Sequence, residues 1–178
     1  EEILRILNYR WGKGELAEHM EFAEVVTLYK KGNVEDPGNY RPISLLNSLY
    51  KMYAAIIQKR LAKTLDKHLQ KTQYGFRKDK STAQALYITR RIQELAEHSG
   101  YELIRIFLDW EKAFDKVDQE KLLEAMKRLG VPEKMLNVLK SFYVNPQFRV
   151  KDREGKSTYR TQQAGIRQGC PLSSYLFI

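Results

Sequence analysis

One cysteine, Cys170, stands alone in the 178 residues, so no internal disulfide can close, and a lone thiol fits a reducing compartment. Three scattered histidines, His19, His68 and His98, join that cysteine in none of the spacings a zinc site requires. No run approaches the ~18 apolar residues of a membrane-spanning helix, and the opening EEILRIL lacks the basic-then-apolar pattern of a secretory signal. Internal repeats and low-complexity segments are missing as well. These absences exclude a disulfide scaffold, a zinc module and a solenoid. They lead to the expectation of an intracellular protein, in cytoplasm or nucleus, with no membrane partner.

What is present is a 43% apolar composition, enough for the core of one domain, and an excess of 31 Lys plus Arg over 22 Asp plus Glu. The resulting charge of +9 has the sign expected of a partner rich in phosphate. At the other end, CPLSSYLFI stops inside an apolar stretch without a cap, the mark of a piece of a longer chain. Leu176, Phe177 and Ile178 are expected to lie uncovered and to promote self-association.

Periodicity divides the chain. Residues 3 to 9 read as a weak helix, and VVTLY (25–29) as a short strand running into a loop, GNVEDPGNYRP, stiffened by Pro37 and Pro42. Leu49, Met52, Tyr53, Ile56, Ile57, Leu61 and Leu65 keep helical spacing over about 48–69, with Lys59, Lys63 and Lys67 on a solvated face. A second helix runs from a Ser81 cap to His98, ends at Gly100, and turns Ile88, Ile92, Leu95 and Ala96 to the core. LIRIFL (103–108) is apolar on both faces, as in a strand covered on both sides. Helices over about 118–129 and 133–143 follow, then a hairpin over 147–163 with DREG as its turn. The mixed order, αβαα-β-αα-ββ-α, predicts an α+β fold.

The chemistry centres on LDWEKAFDKVD, where the strand ends on Asp109. An Asp in that place is often a cap, but Asp115 and Asp118 already stand at the start of the following helix and leave Asp109 without a structural task. Hard cations such as Mg²⁺ take carboxylate and carbonyl oxygens, which Asp109 and the carbonyl of Trp110 offer. In-line phosphoryl transfer uses two ions about 4 Å apart held by more than one acid. None of the seven aspartates forms an adjacent pair or ends another apolar strand, so further ligands are expected beyond residue 178. Cys170 has no histidine near it in sequence to make it a nucleophile. Lys31 and Arg41 flank a tight loop, Arg suited to bidentate contact and Lys to a point charge. QYGFRKDK mixes aromatics, glycine and cations as a single-stranded nucleic acid requires. In GIRQGCPLS, Gly169 frees the backbone and Pro171 suits a first helical turn.

Four blocks read in order, YKKGNVEDPGNYRPISLLNSLYK (29–51), QYGFRKDKST (73–82), FLDWEKAFDKVD (107–118) and GIRQGCPLSSYLF (165–177), resemble the reverse transcriptase domain of non-LTR (LINE-type) retrotransposons. The likeness spans almost the whole chain. It implies a right-hand polymerase, with fingers at about 1–80 and 119–163 and palm at about 81–118 and 164–178, truncated before the Asp-Asp hairpin and thumb. It implies RNA-directed DNA polymerisation from template RNA, primer DNA and dNTP, with two Mg²⁺ ions in the complete enzyme or Mn²⁺ in their place, and an inactive fragment. Asp109 would be the first metal-binding and catalytic aspartate, with Trp110 beside it. Arg41, Lys31, Gln168 and Gly169 would contact the incoming nucleotide, and Phe114 would lie under its sugar and exclude a 2′-hydroxyl. Gln73, Gly75, Phe76, Arg77, Lys78 and Pro171 would meet template. Two rival readings are a basic nucleic-acid-binding module without catalysis and a group II intron maturase-type enzyme.

Overall fold

The stiff β-branched run Val25–Thr27 lies inside β1 (Phe22–Tyr29), the second strand of a four-stranded mixed sheet in the computed structural model, which describes residues 1–152 and 154–178. The chain leaves β1 and turns back through a 3₁₀ turn, Pro37–Asn39, where the Asp36 carboxylate accepts the Gly38 N–H at 2.8 Å. It returns as β2 (Tyr40–Leu46), antiparallel to β1, with Tyr40 opposite Tyr29 and Leu46 opposite Ala23. The loop expected through NYRP therefore stops at Asn39, and Pro42 sits within a strand. That is tolerated because the order β2-β1-β3-β4 puts β2 at an edge, where a residue without an N–H disturbs the ladder least.

The expected hairpin forms as β3 (Gln147–Val150) and β4 (Arg160–Thr161), antiparallel to each other, with β3 parallel to β1. Its DREG turn includes Arg153, which lies outside the described residues. Asp152 Oδ1 accepts the backbone N–H groups of Glu154 and Gly155 at 2.9 and 2.8 Å. Across the sheet Glu24 takes Lys156 and Arg149, which hold its carboxyl down from its ordinary value of 4.5 to about 2, and Lys151 lies 3.8 Å away.

Helix α1 (Glu2–Lys13) closes on Gly14, and α2 (Ser48–Leu65) opens on Asn47, whose side chain accepts the Leu49 N–H. The core forms where Tyr53, Ala54, Ile57 and Leu61 of α2 meet Val138 and Leu139 of α5 (Glu133–Ser141) and Leu172, Tyr175 and Leu176 of α6 (Pro171–Phe177). The C-terminal segment is therefore not left uncovered as a whole. Leu176 is buried in this core, because the helical turn started by Pro171 directs it onto α2, and only Phe177 and Ile178 keep part of their surface in solvent.

Two expectations fail in the middle of the chain. Helix α3 (Thr82–Ser99) has the foreseen Ser81 cap, completed by Gln84 as a capping box, and ends at Gly100. Yet it buries no residue, and Ile88, Ile92 and Leu95 are exposed. Residues 101–110 form no strand, and Ile104, Ile106, Phe107 and Leu108 stand in solvent. A strand is stabilised by its neighbours, and among the described residues no segment pairs with 103–108, so β propensity alone leaves it unpaired and bare. Helix α4 (Gln119–Arg128) follows, capped by Asp118, whose carboxylate accepts the Glu120 and Lys121 N–H groups. The fold class is α+β, with six helices and one mixed sheet among the described residues. No helix described is long and apolar enough to cross a membrane.

Candidate functional site

The segment Gly165–Cys170 is the joint where the separate sequence blocks meet. The Gly165 N–H donates to Val117 O and the Ile166 N–H to Phe114 O, each at 2.8 Å, which binds this segment to AFDKVD. The Ser44 N–H donates to Gln168 O at 2.8 Å, which binds it to the free edge of β2. Both contacts require glycine. At Gly165 (φ +80) an added Cβ would lie 2.8 Å from Asp115 O, and at Gly169 (φ +112) it would lie 2.6 Å from Ser44 O. The Gln168 amide then reaches the Asp115 carboxylate, donating from Nε2 to Oδ1 at 3.2 Å. Asp115 was expected to share the capping of the helix behind it; Asp118 does that alone, and Asp115 holds Gln168.

Arg167, between these groups, is buried and was not singled out from sequence. It donates from Nη2 to the carbonyls of Glu21 and Gln147, tying the start of β1 to that of β3, and lies 5.6 Å from the Tyr50 ring centre. Its Nε and Nη1 find no partner among the described residues. Tyr50 donates its hydroxyl to Cys170 Sγ at 3.4 Å, and burial pushes the Tyr50 phenol well above its ordinary range. Cys170 is thus a buried packing residue. A cavity of about 370 Å³ opens under the sheet between Val25, Ser44, Asp115, Ile166, Arg167 and Gln168.

Phe114 is half-buried and has aromatic neighbours on two sides. Phe177 of α6 stacks on it with ring centres 5.0 Å apart at 17°, and Phe76 meets it edge-on at 6.3 Å and 77°. Phe76 holds a left-handed backbone (φ +59), which costs a bulky residue about 1 kcal/mol or more. The next residue offsets this. Arg77 donates Nε and Nη2 to the Asp66 carboxylate at 2.9 and 2.7 Å, and also reaches the carbonyls of Asp66, Gln70 and Gln73. That hydrogen-bonded pairing holds the Asp66 carboxyl below its usual range. Arg77 is therefore committed to holding the QYGFR loop rather than open to a phosphate. Gln73 is committed as well, donating to Gly75 O at 3.3 Å, whereas Lys78 is exposed. Tyr74 lies beneath the Lys80 ammonium, 5.3 Å from its ring centre.

The remaining residues stand apart from this joint. Alternation along β2 puts Arg41, Ile43 and Leu45 on one face and Pro42 and Ser44 on the other, so Arg41 points away from the cavity toward the open face of the sheet. Lys31 is exposed in the loop before it, and Pro171 is exposed at the start of α6. Asp109 and Trp110 are exposed at the end of the unpaired segment. Their oxygens are of the right kind for a hard cation, but the number is short: no group of three acidic, histidine or cysteine side chains able to hold a metal gathers among the described residues.

The chain is thus a basic α+β protein in which a glycine-bounded Gln-Gly turn is bonded to an Asp-bearing segment and to strand β2, which carries the exposed Arg41. The chain belongs to the reverse transcriptase (RNA-dependent DNA polymerase) family, which matches residues 28–178. It is 35% identical over 159 residues to the RNA-directed DNA polymerase from mobile element jockey of Drosophila melanogaster, covering 87% of this chain and 17% of that protein. It is 31% identical over 173 residues to the transposon TX1 uncharacterized 149 kDa protein of Xenopus laevis, covering 97% and 13%. To the retrovirus-related Pol polyprotein from type-1 retrotransposable element R2 of Popillia japonica it is 29% identical over 150 residues, covering 83% and 21%. These relatives place the chain with the non-LTR retrotransposon reverse transcriptases. It spans between 13% and 21% of their length.

Proposed function

We propose that this chain is the fingers and part of the palm of an RNA-directed DNA polymerase, fingers at about 1–80 and 119–163 and palm at about 81–118 and 164–178. The observation that carries the reading is the joint at Gly165–Gly169, where hydrogen bonds gather Gln168, the segment of Phe114 and strand β2 into one piece. In this role Arg41 and Lys31, which stand outside the Gln168 cavity, swing to the triphosphate when the incoming dNTP binds, Arg41 by bidentate contact and Lys31 as a point charge. Gln168, held by Asp115, orients the nucleotide, and Phe114 excludes a 2′-hydroxyl by occupying its place. Gly169 and Pro171 let backbone approach the template base. Template RNA follows the QYGF aromatics by stacking, with Gly75 allowing close approach and Lys78 supplying charge. Arg77, expected to meet template, leaves that contact to Lys78, since the Arg77 fork already holds Asp66.

Asp109 and the Trp110 carbonyl supply the first oxygens for Mg²⁺, or for Mn²⁺ in its place. The bound ion would stabilise the charge that develops as a primer 3′-hydroxyl attacks the α-phosphate. A single carboxylate does not make that site, so on this reading its other ligands come from an Asp-Asp hairpin elsewhere in a longer protein, and residues 1–178 alone do not polymerise. The decisive variant is Asp109→Asn in a full-length protein carrying this chain, assayed for dNTP incorporation on an RNA template. Incorporation is expected to fall by about 10³-fold or more while RNA binding persists. Unchanged incorporation would remove the polymerase assignment of Asp109 and leave a nucleic-acid-binding module.

A further inference from the structure

We infer that Phe76 and Phe177 determine sugar discrimination by fixing the ring of Phe114, an inference that rests on the gate role proposed for Phe114 above. A steric gate discriminates only by as much as it costs to push the gate aside. An unsupported, half-exposed phenyl ring moves between rotamers within nanoseconds, and such a ring would yield to an extra hydroxyl. Phe114 is instead flanked by two aromatic rings. One face lies against Phe177, near-parallel at 17° and 5.0 Å, and Phe76 meets it in an edge contact at 6.3 Å and 77°. Offset-stacked and edge-to-face pairs are both favourable for aromatic quadrupoles, so each neighbour holds the ring by attraction as well as by blocking its retreat.

The two braces are themselves anchored in different ways. Phe177 closes α6, whose Leu172, Tyr175 and Leu176 are buried in the main core, so the helix that carries this wall is fixed by that core. Phe76 comes from the QYGFR loop and is held in its left-handed conformation by the Arg77 clamp on Asp66. Three sequence blocks far apart in the chain thus converge on one ring. The edge contact also joins the template-facing loop to the gate, so displacement of that loop loosens sugar selection. Ordinary apolar clustering does not account for Phe76, which keeps 56% of its surface in solvent and gains little from burial.

The experiment measures single-nucleotide incorporation by a full-length protein carrying this chain, with dNTP and rNTP of the same base. The variants are Phe76→Leu, Phe177→Leu, Phe177→Tyr and, as reference, Phe114→Val. Phe76→Leu and Phe177→Leu are expected to lower the ratio of kcat/KM for dNTP to that for rNTP by about tenfold, mainly through better use of rNTP, with Phe177→Tyr close to the parent. A merely structural role would lower both kcat/KM values together and leave their ratio unchanged, which overturns the inference. If Phe177→Leu fails to fold, Phe76→Leu decides, because its exposed site spares the core. If Phe114→Val shifts the ratio and neither brace variant does, the brace alone is wrong. If Phe114→Val leaves the ratio unchanged, the gate role falls and the brace with it.

Discussion

The molecule holds two apolar regions that look alike in sequence and differ in what surrounds them. Around α2, Tyr53 and Ile57 are 2% and 0% exposed against α5 and α6. In 103–108, Ile106 and Leu108 are 81% and 85% exposed. The second segment is at least as hydrophobic as the first, so hydrophobicity does not separate them. Partners do. A helix satisfies its own backbone and needs only one neighbouring surface, which α2 finds, whereas a strand needs another strand beside it before its side chains are covered. Asp109 ends the bare region, whereas Gln168 stands in the turn that leads into α6 of the packed one, so the proposed catalytic acid lies on the unpaired segment and the proposed nucleotide contact beside the core.

The sharpest way to break this contrast is to truncate one isoleucine on each side. Ile57→Ala leaves a cavity in a packed core and is expected to cost about 2–5 kcal/mol in chemical denaturation. Ile106→Ala in residues 1–178 removes a side chain already in water and is expected to fall within about 0.5 kcal/mol of the parent. Similar costs at the two positions would mean that 103–108 is packed in solution and that the contrast is false.

Legibility from sequence followed the same division. Several helix ends were readable because caps act locally: Ser81, Asp118, Gly100 and Pro171 all serve as their residue types suggested. Strand β2 was missed because Pro42 reads as a breaker until its strand is known to be an edge. The family and the four blocks were legible, but the links between them were not. That Asp115 accepts from Gln168, that Arg167 ties β1 to β3, and that Arg77 clamps Asp66 are long-range pairings with no periodic signal. A bulky residue at positive φ, such as Phe76, leaves no mark in sequence either. The core faces foreseen for α3 and 103–108 failed because a hydrophobic pattern states what a segment could bury and is silent on whether a partner is at hand.

The joint between the packed half and the Asp-bearing segment can be tested at one atom. In Gly169→Ala the new methyl would meet Ser44 O at 2.6 Å, and φ +112 is strained for any residue with a Cβ. Either the turn moves off β2, breaking the Ser44–Gln168 hydrogen bond, or β2 shifts. A loss of about 1–3 kcal/mol is expected, read in thermal or denaturant unfolding, together with weaker dNTP binding by a full-length protein. An unchanged unfolding midpoint would show that the turn does not press against β2.

The smallest effect separates the sheet from the rest by pH. Glu24 is ionised against Arg149 and Lys156, and its folded value, about 2, lies below its ordinary 4.5. A carboxylate depressed by folding stabilises the folded state when ionised, so its contribution is complete above about pH 4.5 and disappears as pH falls toward 2. The group is solvent-accessible and its partners are screened, so the loss is modest and shrinks with added salt. Amide exchange along β1 and β3 is expected to quicken through this window in the parent chain. In Glu24→Gln the same amides should be less protected at neutral pH and should change less between pH 4.5 and 2. A parent and variant with the same pH profile would show that the three cations around Glu24 do not hold β1 to β3.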